Sequence, residues 1–132
     1  MKAVMCHSYG PPENLVLEDI PDLEPGEYEA VVEVHAASLN FPDGLQIQGK
    51  YQFQPPMPFT PGSEVGGVIR SVGAKFSALN IGDRVMAIPG IGGLAEQVIV
   101  KSESVRRIPD NMDFKTAAGF AMVYTTSYHA LK

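Results

Sequence analysis

Glycine and proline divide this chain into short segments, and that division limits the folds it can adopt. Thirteen glycines and eleven prolines are spread over 132 residues. Proline cannot donate a hydrogen bond to a sheet and glycine favours turns, so both residues mark the ends of elements. Between them, most segments alternate apolar and polar residues, which is typical of half-buried strands. The sequence therefore predicts a mainly β fold.

Seven segments show this alternation. They are residues 1–7, 15–20, 29–37, 64–72, 84–88, 94–100 and 105–108. The first three are separated by short Gly and Pro turn signals, which predicts that they form a meander. Because closure of a sheet leaves few bare edges, a partly open β-barrel is the expected architecture.

Two segments change to helical character. Asp43 is placed to cap a short helix over residues 42–49, and Gly49 is placed to end it. The run 51–61 that follows is too rich in proline for strand pairing and predicts a loop. From Asp113 to the end of the chain, apolar residues fall at helical spacings, which predicts one closing helix with Asp113 as its cap.

Composition argues against several classes of partner. Ten Lys and Arg against fifteen Asp and Glu give a formal net charge of -5, and the only basic cluster is the pair Arg106 and Arg107. No apolar run approaches the roughly 20 residues of a membrane span, and the chain starts with a strand-like segment instead of a signal peptide. Cys6 is the only cysteine, which excludes an internal disulfide. We expect a cytoplasmic protein with no nucleic-acid or membrane partner.

Two blocks of the sequence carry a family resemblance: 39–51 (LNFPDGLQIQGKY) and 61–85 (PGSEVGGVIRSVGAKFSALNIGDRV). They resemble the N-terminal GroES-like domain of medium-chain dehydrogenases/reductases. The segment 117–131 (AAGFAMVYTTSYHAL) is similar to the helix that leads out of that domain. The resemblance covers nearly the whole chain. It implies a GroES-like catalytic and substrate domain over 1–112, and over 113–132 a helix leading toward a Rossmann domain that this chain lacks.

The branch of the family is indicated by the residues at two positions that hold zinc in its alcohol dehydrogenases. Asn40 stands where those enzymes have Cys, and Ser63 stands where they have His. Zinc needs three or four Cys, His or carboxylate ligands around one point, and the neighbours Cys6 and His7 would point to opposite faces of a strand. We therefore expect no metal site. The Leu-Asn-Phe-x-Asp run at 39–43 instead resembles the zinc-independent, zeta-crystallin-like quinone oxidoreductases.

This resemblance implies an oxidoreductase that transfers hydride from NADPH to quinones or related α,β-unsaturated carbonyls. An enone or alkenal reductase of the same fold remains an alternative, and so does a fragment that binds partners without turnover, because fold does not fix function. The choice between NADPH and NADH, the physiological substrate and a homodimer of the full-length protein stay open. The chain alone is expected to be inactive, since most of the cofactor would be held by the absent domain.

Three residues are candidates for the site. The Asn40 amide can donate and accept, so it could hold a quinone oxygen or the nicotinamide ribose, although Asn is also common where a helix begins. The resemblance implies a site tyrosine at Tyr51, whose phenol could bond an acceptor oxygen and whose ring could stack on a quinone. It also implies a nicotinamide-facing hydroxyl at Thr126, although a helical Thr often bonds only its own backbone. We predict Asn40 and Tyr51 as catalytic, and Asn40 and Thr126 as cofactor-binding.

Three other features favour structural roles. Glu64 could be a general acid, but beside glycines it is better interpreted as a buried carboxylate paired with backbone donors. His35 alternates along a strand and is interpreted as a surface or packing residue. Residues 90–95 (GIGGLA) match the dinucleotide fingerprint G-x-G-x-x-A, but a strand-like segment follows them. Because that fingerprint works only when a helix follows, no phosphate loop is expected.

Overall fold

Residues 1–132, all described by this computed structural model, form seven strands, three α-helices and two single-turn 3₁₀ helices. The strands are β1 (Lys2–Met5), β2 (Val16–Asp19), β3 (Glu29–Ser38), β4 (Glu64–Val72), β5 (Arg84–Ala87), β6 (Gln97–Lys101) and β7 (Val105–Arg107). The helices are α1 (Phe41–Ile47), α2 (Phe114–Ala118) and α3 (Ala121–Leu131), and the 3₁₀ turns lie at Pro12–Asn14 and Ser102–Ser104.

One antiparallel sheet of five strands, in the order β6-β3-β4-β5-β7, carries the core. Its main apolar cluster consists of Ala30, Val32, Val65, Ile69, Phe76, Val85, Ala87, Val98, Val100 and Val105. At one edge, β1 lies along the residues that precede β6, where the amide of Val4 donates to Leu94 O at 2.9 Å and that of Glu96 donates to Lys2 O at 3.0 Å. The sheet thus curls into a partly open barrel. The predicted mainly β fold is confirmed.

The predicted N-terminal meander is wrong. β1 and β2 form a separate two-stranded sheet, and β3 pairs instead with β4 and β6. The connection between β2 and β3 contains Pro21 and Pro25, which interrupt continued pairing. β3 also has three consecutive fully buried residues, Ala30, Val31 and Val32, so it is covered on both faces. A strand buried in this way belongs at the centre of a sheet, between two partners.

Helix α1 begins one turn earlier than a cap at Asp43 would place it. Asn40 is the N-cap residue, and Asp43 lies inside the first turn, where its Oδ2 accepts from the Asn40 amide at 2.7 Å. Asp43 therefore supports the start of the helix, but from the third helical position. Gly49 follows the helix with φ of +67°, a left-handed conformation that favours glycine, so the predicted end is confirmed.

The predicted single closing helix is two helices. Asp113 caps α2 as predicted, since its Oδ1 accepts from the Thr116 amide at 2.7 Å, but α2 stops at Gly119 and α3 starts at Ala121. α2 lies close against β4 at Gly66, where an added Cβ would meet Phe114 O at 2.6 Å. The break therefore separates a helix that packs on the sheet from a longer, mostly exposed one. None of the helices has the length and apolar character needed to cross a membrane.

Candidate functional site

The buried carboxylate of Glu64, at the start of β4, joins three elements. Its side chain is 1% exposed. Glu64 Oε2 accepts from Ser38 Oγ at 2.7 Å and from Asn40 Nδ2 at 3.3 Å, and Oε1 accepts from the Met122 amide at 2.9 Å. Ser38 stands directly opposite Glu64 in the ladder between β3 and β4. We call this set of residues, Ser38, Asn40, Glu64 and Met122, the Glu64 junction.

The position of α3 explains how a carboxylate can be buried here. The first amides of a helix have no partner inside the helix, and the helix dipole makes that end electropositive. The Met122 amide is one of these groups, so Glu64 satisfies it and is stabilised in return. The prediction that Glu64 is a buried structural group paired with a backbone donor is confirmed. Nothing in the sequence indicated that the donor would come from α3.

Asn40 begins a helix and also takes part in the hydrogen bonds around Glu64. It is the N-cap residue of α1, and its half-buried side chain also belongs to the Glu64 junction. Besides its contact with Glu64, Asn40 Nδ2 donates to Ser38 Oγ at 2.9 Å. The start of α1 is therefore tied to the start of α3 through one carboxylate, and Asn40 lies where these two helices approach each other.

The other two candidate residues are less directly connected. Thr126 lies one turn along α3 from Met122, is exposed, and donates its hydroxyl to Met122 O at 2.6 Å. A helical Thr often makes this bond to its own backbone. Tyr51 is half-buried in the loop after α1 and takes no part in the Glu64 junction. The structure thus links Asn40 and Thr126 through Met122, but it does not link Tyr51 to either.

Large apolar side chains close in sequence to Asn40 and Met122 of the Glu64 junction are exposed. Leu39 and Phe41, on either side of Asn40, are 78% and 82% exposed. On α3, Val123 directly follows Met122, and Tyr124 and Tyr128 share a face because they lie four residues apart; all three are exposed. Sequence reasoning missed this surface, although Leu39 and Phe41 lie within the motif that suggested the family. An apolar surface with a polar centre is typical of a binding face.

The site is an open surface on this chain. Two clefts of about 460 Å³ each lie elsewhere: one between Tyr9 and Lys50, the other around Met1 and Asp22. Asn40, Tyr51 and Thr126 line neither of them. A small molecule bound at the Glu64 junction would therefore need a second surface to enclose it.

The glycine-rich run 90–95 does not form a phosphate site. The amides of Gly92, Gly93 and Leu94 donate to carbonyls of residues 60–62, at distances of 2.7 to 2.9 Å. These donors are already satisfied, and β6 follows them instead of a helix. The strand predicted after this run is confirmed, and the run lacks the following helix that a phosphate loop requires.

Possible metal ligands are scattered in the structure, and nowhere do three His, Cys, Asp or Glu side chains come together. Cys6 is buried in a small cluster with Ile47 and Phe59, and this burial raises the pKa of its thiol, against the opposing effect of a hydrogen bond to Ser8 O. His7 is instead exposed and contacts Glu18 at 2.6 Å. As predicted for neighbours on a strand, the two side chains take separate directions.

His35 packs as predicted. The His35 ring centroid lies 4.5 Å from the Phe114 ring centroid. The Arg84 guanidinium lies 4.7 Å from the Phe114 ring centroid. Arg84 also donates to Asp110 O at 2.9 Å and to Met112 O at 2.6 Å. This cluster fixes the segment that leads into α2, and through α2 it supports the position of α3.

Comparison with known proteins decides the family. Residues 26–110, well over half of the chain, match the alcohol dehydrogenase GroES-like domain. The chain belongs to this family. The GroES-like fold and the family membership predicted from residues 39–51 and 61–85 are thereby confirmed.

Three relatives of this GroES-like domain bear on its class. The quinone oxidoreductase-like protein 2 homolog of Nematostella vectensis is 41% identical over 99% of this chain and 36% of its own length. A probable oxidoreductase from Mycobacterium abscessus superposes with a TM-score of 0.91 at 40% identity, over 98% of this chain and 42% of that one. The quinone oxidoreductase of Thermus thermophilus, solved also as its complex with NADPH, superposes with a TM-score of 0.84 at 37% identity. The match covers 99% of this chain and 40% of that one.

These comparisons support an oxidoreductase domain related to the quinone oxidoreductases. The chain spans about two fifths of the length of the relatives it matches. The GroES-like domain therefore corresponds to one part of each relative, and the activity of a whole protein is a matter for proposal.

Proposed function

We propose that this GroES-like domain is the substrate side of an NADPH-dependent reductase that transfers hydride to quinones or related α,β-unsaturated carbonyls. The observation that carries the proposal is the Glu64 junction, where the polar side chain of Asn40 stands between the exposed residues Leu39 and Phe41 and is joined through Glu64 to the start of α3. A flat, mostly apolar acceptor with one or two oxygens suits such a surface. The relatives named as quinone oxidoreductases agree with this choice.

The same surface suits contact with a nucleotide-binding domain. Residues 113–132 would lead toward it, and the exposed face of α3 would lie along the cleft between the two domains. The residues that fit the nicotinamide end of the cofactor are Asn40, which is joined to Met122 through Glu64, and Thr126, which bonds Met122 O directly. The amides of Gly92, Gly93 and Leu94 are already satisfied and no helix follows them, so we do not place the pyrophosphate there. Most of the cofactor would be held by the other domain.

NADPH would supply the hydride, and the residues of this chain would hold the acceptor in place. Tyr51 would contribute its ring as a flat contact and its hydroxyl as a donor to an acceptor oxygen. Leu39 and Phe41 would exclude water from the acceptor ring. Orientation of this kind accounts for a large part of catalysis when the cofactor carries the reactive hydrogen.

A chimera tests the proposal. Residues 1–132 would replace the matched segment of the Thermus thermophilus quinone oxidoreductase, and NADPH oxidation would be measured with a quinone and with an enone. We expect quinone reduction by the chimera and none by the 132-residue chain alone. If the enone is reduced and the quinone is not, the alternative substrate class is supported. A folded chimera that binds NADPH but reduces neither acceptor would refute the proposal.

Two tyrosine variants of the chimera make the test residue-specific. Tyr51→Phe deletes one hydrogen bond but keeps the ring, so kcat/KM should fall roughly threefold to tenfold, which corresponds to about 0.5–1.5 kcal/mol. Tyr28→Phe is the matched control, because Tyr28 is an exposed tyrosine between β2 and β3. It should leave kcat/KM unchanged. Equal kinetics for both variants would remove Tyr51 from the site.

A further inference from the structure

We infer that the cleft between Tyr9 and Lys50 is a subsite for a negatively charged substituent on the acceptor, and that Lys50 gives the domain a preference for acidic acceptors. This inference rests on the proposed function, and it narrows the substrate class of the same site. The cleft has a volume of about 460 Å³, and its lining residues are Tyr9, Gly10, Pro11, Pro12, Gln48 and Lys50.

The two walls of the cleft are bonded to each other. The amide of Gly10 donates to Ile47 O at 2.9 Å, which joins the first wall to the end of α1. The Tyr9 ring lies against Gly49, where an added Cβ would meet it at 3.0 Å. The Tyr9 hydroxyl also donates to Gln54 Oε1 at 3.4 Å, and Gln54 Nε2 donates to Gly49 O at 2.8 Å. The cleft is therefore formed before a ligand arrives, which lowers the cost of binding.

The lining suits a flat apolar group with an acid attached to it. Tyr9 is 44% exposed and offers an aromatic surface, and Pro11 and Pro12 add rigid apolar surface beside it. The polar groups of the lining come from Gln48 and Lys50. No Asp or Glu lines the cleft, although the whole chain has a formal net charge of -5. The cleft is thus a locally positive place that attracts an anion.

The charge of Lys50 has no partner of opposite sign. Lys50 Nζ donates to the neutral amide oxygen Oε1 of Gln48 at 3.0 Å. The ammonium groups of Lys2 and Lys75, in contrast, lie within 3.0 Å of a carboxylate. A neutral acceptor engages one of the three ammonium hydrogens and cancels none of the charge. Exposed Lys50 can therefore bind a carboxylate or sulfonate of a ligand.

The cleft adjoins the proposed acceptor site through Tyr51, the residue that directly follows Lys50. Helix α1 begins after Asn40 and ends at Gln48, and eight residues of helix span about 12 Å. The cleft therefore lies about one ring-sized molecule away from the Glu64 junction. An acceptor whose oxygen is bonded by Tyr51 would extend a short acidic substituent toward Lys50.

The subsite can be tested on the 132-residue chain with two probes that differ in charge. Naphthalene-2-carboxylate and naphthalene-2-carboxamide would each be titrated into isotope-labelled chain, and the amide shifts of Gly10, Gln48 and Lys50 would be followed by NMR. We expect saturable shifts at these residues and a Kd about fivefold lower for the carboxylate, which corresponds to about 1 kcal/mol. Equal Kd values, or shifts confined to residues outside the cleft, would overturn the inference.

Two lysine variants make the binding test residue-specific. Lys50→Gln removes the charge and keeps a polar side chain, so the fivefold preference for the carboxylate should disappear. Lys101→Gln removes another exposed lysine, at the end of β6, and should keep the preference. A preference that survives in folded Lys50→Gln would overturn the assignment to Lys50.

The chimera separates the subsite from the proposed function. NADPH oxidation would be measured with 1,4-naphthoquinone and with its 2-sulfonate. In Lys50→Gln we expect kcat/KM to fall about fivefold more for the sulfonate than for the parent quinone, through KM and not kcat. Equal losses for the two quinones, or no loss for either, would overturn the subsite and leave the proposed function in place. A folded chimera that binds NADPH and reduces neither quinone would refute the proposed function, and the binding test on the chain alone would still decide the subsite.

Discussion

Removal of the Glu64 carboxylate should destabilise the domain more than any other single change at the site. In Glu64→Ala the Met122 amide and the Ser38 hydroxyl lose a buried, charged acceptor, and Asn40 loses one of two partners. A hydrogen bond to a charged group contributes about 1.5–3 kcal/mol, and half-buried Asn40 can turn to water. We therefore expect a loss of about 3 kcal/mol in the free energy of unfolding, which lowers the melting temperature of a chain of this size by about 10–15 °C.

Two further variants give this prediction its controls. Glu64→Gln keeps one oxygen for the Met122 amide, so it should lose clearly less stability than Glu64→Ala. Glu24→Ala removes an exposed carboxylate and should change the free energy of unfolding by less than about 0.5 kcal/mol. Urea unfolding followed by circular dichroism measures all three. The reasoning fails if Glu64→Ala unfolds at the same urea concentration as Glu24→Ala.

Three further expectations concern the fold around the site. The Thr116 amide of α2, which donates to Asp113, lowers the pKa of the Asp113 carboxyl. The stabilisation from this bond is therefore present above about pH 4 and is lost as the pH falls through the lowered pKa. Between about pH 5 and pH 3 the melting temperature of Asp113→Asn should therefore fall less than that of the unchanged chain. Burial raises the pKa of the Cys6 thiol, so a thiol reagent should label it slowly until urea unfolds the chain, and fast labelling of folded protein would contradict its position. Gly66→Ala should lower the free energy of unfolding by about 1–3 kcal/mol, since the added Cβ would meet Phe114 O at 2.6 Å. Gly44→Ala is the matched control in α1, where the added Cβ meets open space, and it should raise the free energy of unfolding by about 0.5–1 kcal/mol.

Strands and helix ends that depend on only a few neighbouring residues could be predicted from the sequence. Alternating residues located the strands, Gly49 ended α1, and Asp113 capped α2 because each of these effects acts within a few residues. The prediction of an N-terminal meander was wrong because the partners of β3 depend on which strands bury its two faces, and these strands are distant in sequence. Its three consecutive buried residues were visible in the sequence as the run Ala30 to Val32, which signals a central strand.

Two residues of the Glu64 junction could be singled out from the sequence, but their connections could not. Asn40 stood out through the family resemblance, and Glu64 through its position among glycines. That Glu64 accepts from both Asn40 and the amide of Met122 depends on the break between α2 and α3, which no periodicity shows. The exposure of Leu39 and Phe41 was also unpredictable, since a strand end and a helix start give no fixed direction to the side chains between them.

The pairing of β3 has a consequence for the order in which this domain can fold. Glu29 pairs with Lys101 and Glu33 with Gln97, and β1 contacts residues 94–96. During synthesis, β3 must therefore wait for the last quarter of the chain before its second neighbour exists. Contacts so distant in sequence slow folding, and the unpaired edge of an unfinished sheet invites aggregation. We expect a chain that stops before residue 97 to accumulate in insoluble form, while the 132-residue chain folds in a single cooperative step.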